Sequence, residues 1–142
     1  MHCRFCGNEC RIPEGGEGYC GLVGNKNGKM AREKELIASY YYDPHPTNCI
    51  SEWACPAGGL GHQEYSRCEG TEYGYYNLAV FCVGYSYDCL FCQNWQFREE
   101  VRMKPGSKVS DKEFLDAIKE STKCIRFFEG DPSPQLDKIT RI

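Results

Sequence analysis

The sequence predicts an α/β chain: a cysteine-rich, metal-binding N-terminal segment followed by two strand–helix units of a parallel sheet. Three observations predict it. Eleven cysteines stand among 142 residues, several of them two residues apart. The run Leu78-Ala79-Val80-Phe81-Cys82-Val83, closed by Gly84, reads as a strand buried on both faces. Ser110 and Glu113 form a capping box before an apolar helical pattern.

Composition narrows the function classes. Lys plus Arg is 17 and Asp plus Glu is 20, giving a formal charge of −3, so a polybasic nucleic-acid binder is excluded. Apolar residues at 41% and charged residues at 26% are globular values. No apolar run approaches the ~20 residues of a membrane span. The start, Met1-His2-Cys3-Arg4-Phe5-Cys6, lacks an apolar signal region, and no secretion is expected. An odd cysteine count without an export signal favours metal over a disulfide scaffold. Paired thiols in tight Cys-x2-Cys turns also suit one ion better than one disulfide.

The elements follow in order. Residues 1–30 hold Cys3-x2-Cys6-x3-Cys10-x9-Cys20 among many glycines. Such a segment is expected to lack an apolar core and to need a metal for its shape. Four thiolates close a tetrahedral zinc site or hold an iron–sulfur cluster, and the spacing suits both. Residues 31–76 are an irregular Tyr- and Cys-rich segment. Ile37–Tyr42 reads as a strand ended by Asp43-Pro44-His45-Pro46. Cys49, Cys55 and Cys68 either hold a third centre, with His62 or His45, or are loop cysteines.

Residues 77–142 carry the strand at 78–83, a helix over about 111–122, a second strand at Cys124–Phe128 stopped by Gly130, and a helix opened by Ser133-Pro134. This order is a βαβ unit, with parallel strands and a right-handed crossover. Cys124 reads as a core residue of its strand. Ligands of parallel sheets gather at the carboxyl ends of strands. Cys89 and Cys92 follow the first strand, and Glu129-Gly130-Asp131 ends the second. No phosphate loop, Gly-x-Ser-x-Gly or His-Glu-x-x-His occurs, so hydrolase and kinase readings have no support.

Asn77-Leu78-Ala79-Val80-Phe81 and Asp88-Cys89-Leu90-Phe91-Cys92-Gln93-Asn94-Trp95 resemble radical S-adenosylmethionine (radical SAM) proteins, nearest to the pyruvate formate-lyase activating enzyme-like group. The cysteine-rich opening resembles the N-terminal segment of that group. The resemblance implies a partial (β/α) barrel and a Cys-x3-Cys-x2-Cys loop holding three irons of a [4Fe–4S] cluster, with the fourth iron left for S-adenosylmethionine. Cys89 and Cys92 match the second and third ligands. The first position falls on Tyr85, and the nearest upstream cysteine is Cys82. Cys82 either replaces that ligand or is a buried strand cysteine, and Tyr85 otherwise marks a degenerate site. The resemblance further implies that Phe91 lies near the adenine and that Glu129, Gly130 and Asp131 stand where the family contacts the methionine moiety. The roughly 65 residues after Leu78 suffice for two of six strand–helix units at about 30 residues each.

Two functional readings result. In the first, a reduced cluster cleaves S-adenosylmethionine to a 5′-deoxyadenosyl radical for hydrogen abstraction. This implies a reductant such as ferredoxin or flavodoxin, and a protein substrate of the glycyl radical enzyme kind or a complementary chain completing the barrel. In the second, the chain is a non-catalytic iron–sulfur electron carrier or a zinc-stabilised interaction module. Both suit a reducing cytoplasm.

Overall fold

The computed structural model describes residues 1–47, 49–92, 95, 99 and 107–142, apart from the side chains of Phe128 and Glu129. The protein is a mixed α/β chain with two sheets and short helices. A two-stranded sheet pairs β1 (Val23–Lys26) with β2 (Lys29–Arg32). A four-stranded sheet contains β3 (Leu36–Pro44), β4 (Tyr76–Cys82), β5 (Ser107–Val109) and β6 (Thr122–Gly130), in the order β5-β3-β4-β6. Among the described residues, the α-helices include α1 (Asp111–Asp116) and α2 (Leu136–Ile139), the latter entered through a 3₁₀ turn at Ser133–Gln135.

Hydrogen bonds at the strand ends fix the directions. Val83 N donates to Ile37 O and His45 N to Tyr75 O, so β3 and β4 run antiparallel. Tyr76 N donates to Ser121 O at one end and Asp131 N to Gly84 O at the other, so β4 and β6 run parallel. Central β4 is buried along Asn77–Val80 and at Cys82, as its near-continuous apolar run requires. β5 closes the other edge antiparallel to β3, with Leu36 opposite Val109.

The chain divides into two compact units. The first comprises Met1–Ser39, Val80–Asp116 and Phe127–Ile142. Its N-terminal part is better built than glycine content suggests: Cys3, Ile12, Cys20 and Val23 form an apolar core with Met1, Cys10 and Leu22 against it. The β1–β2 hairpin turns through Asn27 and Gly28, both at positive φ, which a two-residue hairpin of matching twist requires. Glu14 accepts from both amides, at 2.5 and 2.8 Å. Gln135, fully buried, bridges two strands: Nε2 donates to Ile37 O and Val83 O, and Oε1 accepts from Ile37 N, all at 2.9 Å.

The capping box forms as its residues dictate. Ser110 N donates to Glu113 Oε2 at 2.9 Å, and Glu113 N to Ser110 Oγ at 3.2 Å. The helix it opens ends at Asp116, short of the expected 122. The next carbonyl, of Ala117, accepts from Tyr42 Oη, and Lys119 N turns to Thr122 Oγ1, which leads the chain into β6.

The second unit comprises Tyr40–Ala79 and Ala117–Arg126. Its core holds Ala57, Leu78, Ala79 and Ala117, and it buries three polar side chains, His45, Glu72 and Asn77. Tyr42 and Tyr76 meet edge to face, with ring centroids 6.3 Å apart.

Candidate metal centres

Among the described residues, no three His, Cys, Asp or Glu side chains already surround one point at metal-holding spacing. All eleven cysteines are free thiols. Most of them nevertheless fall into three neighbourhoods, each within one unit.

Cys3, Cys6, Cys10 and Cys20 share the first. Cys3 N donates to Cys10 O at 2.8 Å, Glu9 N turns back to Cys6 O, and Tyr19 N donates to Cys10 Sγ at 3.4 Å. An amide aimed at a sulfur is the interaction a metal-bound thiolate uses. Burial pushes the Cys20 thiol up; a backbone bond at Leu22 opposes this, and the Cys6, Cys3 and Cys10 thiols add to it. Cys20 thus lies within electrostatic reach of the other three sulfurs.

The second neighbourhood is the loop after β4. Cys92 N donates to Cys89 O at 3.2 Å, closing a turn between the two cysteines. The Tyr85 hydroxyl lies 3.4 Å from Cys92 Sγ. That bond, burial and the nearby Cys92, Cys89 and Asp131 charges push the phenol to about 12. Asp131 ties the loop to the end of β6. Its Oδ2 accepts from Ser86 N at 3.0 Å and from Ser86 Oγ, and its Oδ1 accepts from Ser133 N at 2.9 Å. Burial raises its carboxyl, but these bonds outweigh burial and hold it below the usual carboxylate range.

Cys82 lies inside β4 at 1% exposure. Burial first, and then Asp131, drive its thiol to about 12. Gly130, at φ 72°, brings β6 so close that a Cβ would overlap the Cys82 carbonyl. Phe91 is 89% exposed. The Glu129 side chain, and Gln93 and Asn94, lie outside the described residues.

The first two neighbourhoods touch. Asn8, between Cys6 and Cys10, donates to Ser86 O at 2.8 Å. Gly84 packs against Leu22 and the Cys20 carbonyl, where a Cβ would overlap Leu22. A cleft of about 480 Å³ opens beside Cys20, Leu22, Met30, Arg32, Glu33 and Lys108.

The third neighbourhood is in the second unit. His45 Nδ1 lies 2.9 Å from Glu72 Oε2, with both side chains almost fully buried. His45 Nε2 lies 3.6 Å from Cys124 Sγ. Burial drives the Cys124 thiol to about 11, the Cys55 and Cys49 charges adding to it and Arg126 opposing. The expectation of a plain core cysteine at 124 therefore misses its surroundings. Glu72 stands 27 residues from His45, and no spacing rule joins them.

No protein-family model, curated protein or solved structure matches the chain.

Proposed function

We propose that this chain carries the cluster-binding loop of a radical SAM-like protein, with Cys89 and Cys92 as thiolate ligands of a [4Fe–4S] cluster. One observation carries the reading: the Cys89–Cys92 turn follows β4 at its carboxyl end and is tied through Ser86 to Asp131, at the carboxyl end of parallel β6. Ligand sites of parallel sheets collect at that edge.

The donor set fits in part. Cys89 is exposed and Cys92 half-buried, so both sulfurs are accessible. Cys82, 1% exposed within the strand, takes no part on this reading. The Tyr85 oxygen beside Cys92 is the third donor on this reading. A cluster bound there supplies one electron for reductive cleavage of S-adenosylmethionine.

The chain's own residues do the remaining work. Asp131 anchors the loop, Gly130 admits the close approach of the two strands, and Phe91 offers an exposed ring face for an adenine. The contact from Asn8 to Ser86 sets the N-terminal cysteine group beside the loop, where a second cluster would relay electrons and a zinc ion would brace it. The partners are a ferredoxin- or flavodoxin-like reductant and either a protein substrate or a chain completing the barrel. The free thiols suit a reducing cytoplasm. No helix among the described residues is long and apolar enough to cross a membrane.

Tyr85 in place of a thiol favours the second reading, a non-catalytic metal module. Iron and sulfide counts with EPR of the reduced, anaerobically purified chain separate the two. A spectrum that shifts with S-adenosylmethionine and is lost in Cys89→Ala/Cys92→Ala supports the first. Iron content unchanged in that double variant, or no effect of S-adenosylmethionine, leaves the module.

A further inference from the structure

We propose that His45, Cys49, Cys55 and Cys124 form a structural site for one zinc-type divalent ion, with Glu72 and Asn77 holding the ligands in place. The site rests on none of the residues of the Cys89–Cys92 loop, and it lies within the second unit.

Four observations converge on it. The side chains of His45, Cys49, Cys55 and Cys124 line one cavity of about 30 Å³, together with Glu52 and Arg126. That is room for one ion. His45 Nε2 and Cys124 Sγ stand 3.6 Å apart. Zinc–nitrogen and zinc–sulfur bonds of about 2.05 and 2.3 Å at a tetrahedral angle put those two atoms roughly 3.6 Å apart. Two ligands are therefore already spaced as an edge of the tetrahedron. Cys49 and Cys55 complete it by side-chain rotation on their loop.

The supporting residues point the same way. Glu72, 2% exposed, holds His45 Nδ1. A carboxylate on the far nitrogen fixes the tautomer that leaves Nε2 free for a metal. Ser66 Oγ satisfies the other Glu72 oxygen at 3.0 Å. Asn77 is completely buried; its Oδ1 accepts from the Cys124 thiol at 3.4 Å, and its Nδ2 has no partner among the described residues. Turning the amide over lets Nδ2 donate to the sulfur once it is a thiolate. An orphaned buried donor beside a protonated thiol is thereby explained by the metal-bound form. Arg126 lines the same cavity and offsets the negative charge of three thiolates. Binding releases the three thiol protons to solvent. Cys68 has other neighbours, Ser66 Oγ and Thr71 O, and stands outside the set.

The test uses the full chain, stripped of metal anaerobically and titrated with zinc, with residue-resolved alkylation of every cysteine. Zinc is expected to protect Cys49, Cys55 and Cys124 together while Cys68 keeps its metal-free rate. Cys124→Ser is expected to lower zinc by one ion per chain without exposing Cys3, Cys6, Cys10 or Cys20. Glu72→Gln is expected to keep the ion but to bind it ~10–100-fold more weakly. Alkylation of Cys124 at the same rate with and without zinc overturns the proposal. So does protection of Cys49 and Cys55 without Cys124. The wild-type protection pattern decides the matter even where Cys124→Ser fails to fold.

Discussion

The hydroxyl oxygen of Tyr85 lies 3.4 Å from the sulfur of Cys92, seven residues on in the same loop. A phenol takes up the position where the resembled family carries its first thiolate, and it already touches the third. Tyr85→Cys is expected to give a three-thiolate loop with Cys89 and Cys92 and to raise iron bound at the loop. Tyr85→Phe removes the oxygen and is expected to lower it. Iron and sulfide assays on the two variants, beside wild type, check both directions. Equal iron in all three would remove Tyr85 from the site.

Cysteine reactivity should sort by environment. Cys89 is exposed, while Cys82 is sealed in β4 with its thiol at about 12. In the metal-free chain at pH 8, Cys89 is expected to be alkylated at least ~100-fold faster, since a thiolate must form and be reached. Mass spectrometry of timed quenches gives both rates. Comparable rates would contradict the buried placement of Cys82.

The same thiol gives an alkaline limb to stability. Its folded pKa is raised from 9.0 to about 12, so its contribution is fully present below pH 9. It is lost as pH rises through that window, because the unfolded chain ionises first. Tyr85, raised from 10.0 to about 12, acts in the same direction. Cys82→Ala is expected to flatten the loss of stability between pH 9 and 11 relative to wild type. Denaturant midpoints across that range are the readout, and an unchanged slope would contradict the assignment.

Gly130→Ala is expected to destabilise by at least about 3 kcal/mol, combining positive-φ strain with overlap on the Cys82 carbonyl. Thermal or urea unfolding checks it. A loss this large, seen also without any cofactor, would mean that the glycine serves the strand pair first.

Gln135→Leu leaves the Ile37 amide and the Val83 carbonyl without the Gln135 partner, and the Ile37 carbonyl with Val83 N alone. A loss of about 2–4 kcal/mol is expected from unfolding curves. A change under about 1 kcal/mol would mean that water replaces the amide.

Where a residue pair acts locally, the sequence was readable. Ser110 and Glu113 announced their cap, and the Leu78–Val83 run announced the central strand. The parallel β4–β6 pair followed from the strand–helix–strand order. The β1–β2 hairpin was missed although Asn27-Gly28 carries the signal for it, since the cysteines and glycines around it read as metal-shaped loop. The Pro44 ending was foreseen only approximately, because β3 keeps its ladder to Pro44. The surroundings of Cys124 are unreadable for a different reason. Its neighbours His45, Glu72 and Asn77 come from distant segments, and only the paired strands bring them together.

The most direct measurement is electron–nuclear double resonance on the reduced chain with S-adenosylmethionine labelled at its amino nitrogen and carboxylate oxygens. A cluster held by Cys89 and Cys92 with an iron left open predicts hyperfine coupling to both labels, abolished in Cys89→Ala/Cys92→Ala. A reduced cluster signal with no coupling to either label would contradict a cofactor-binding site and leave a metal-braced module.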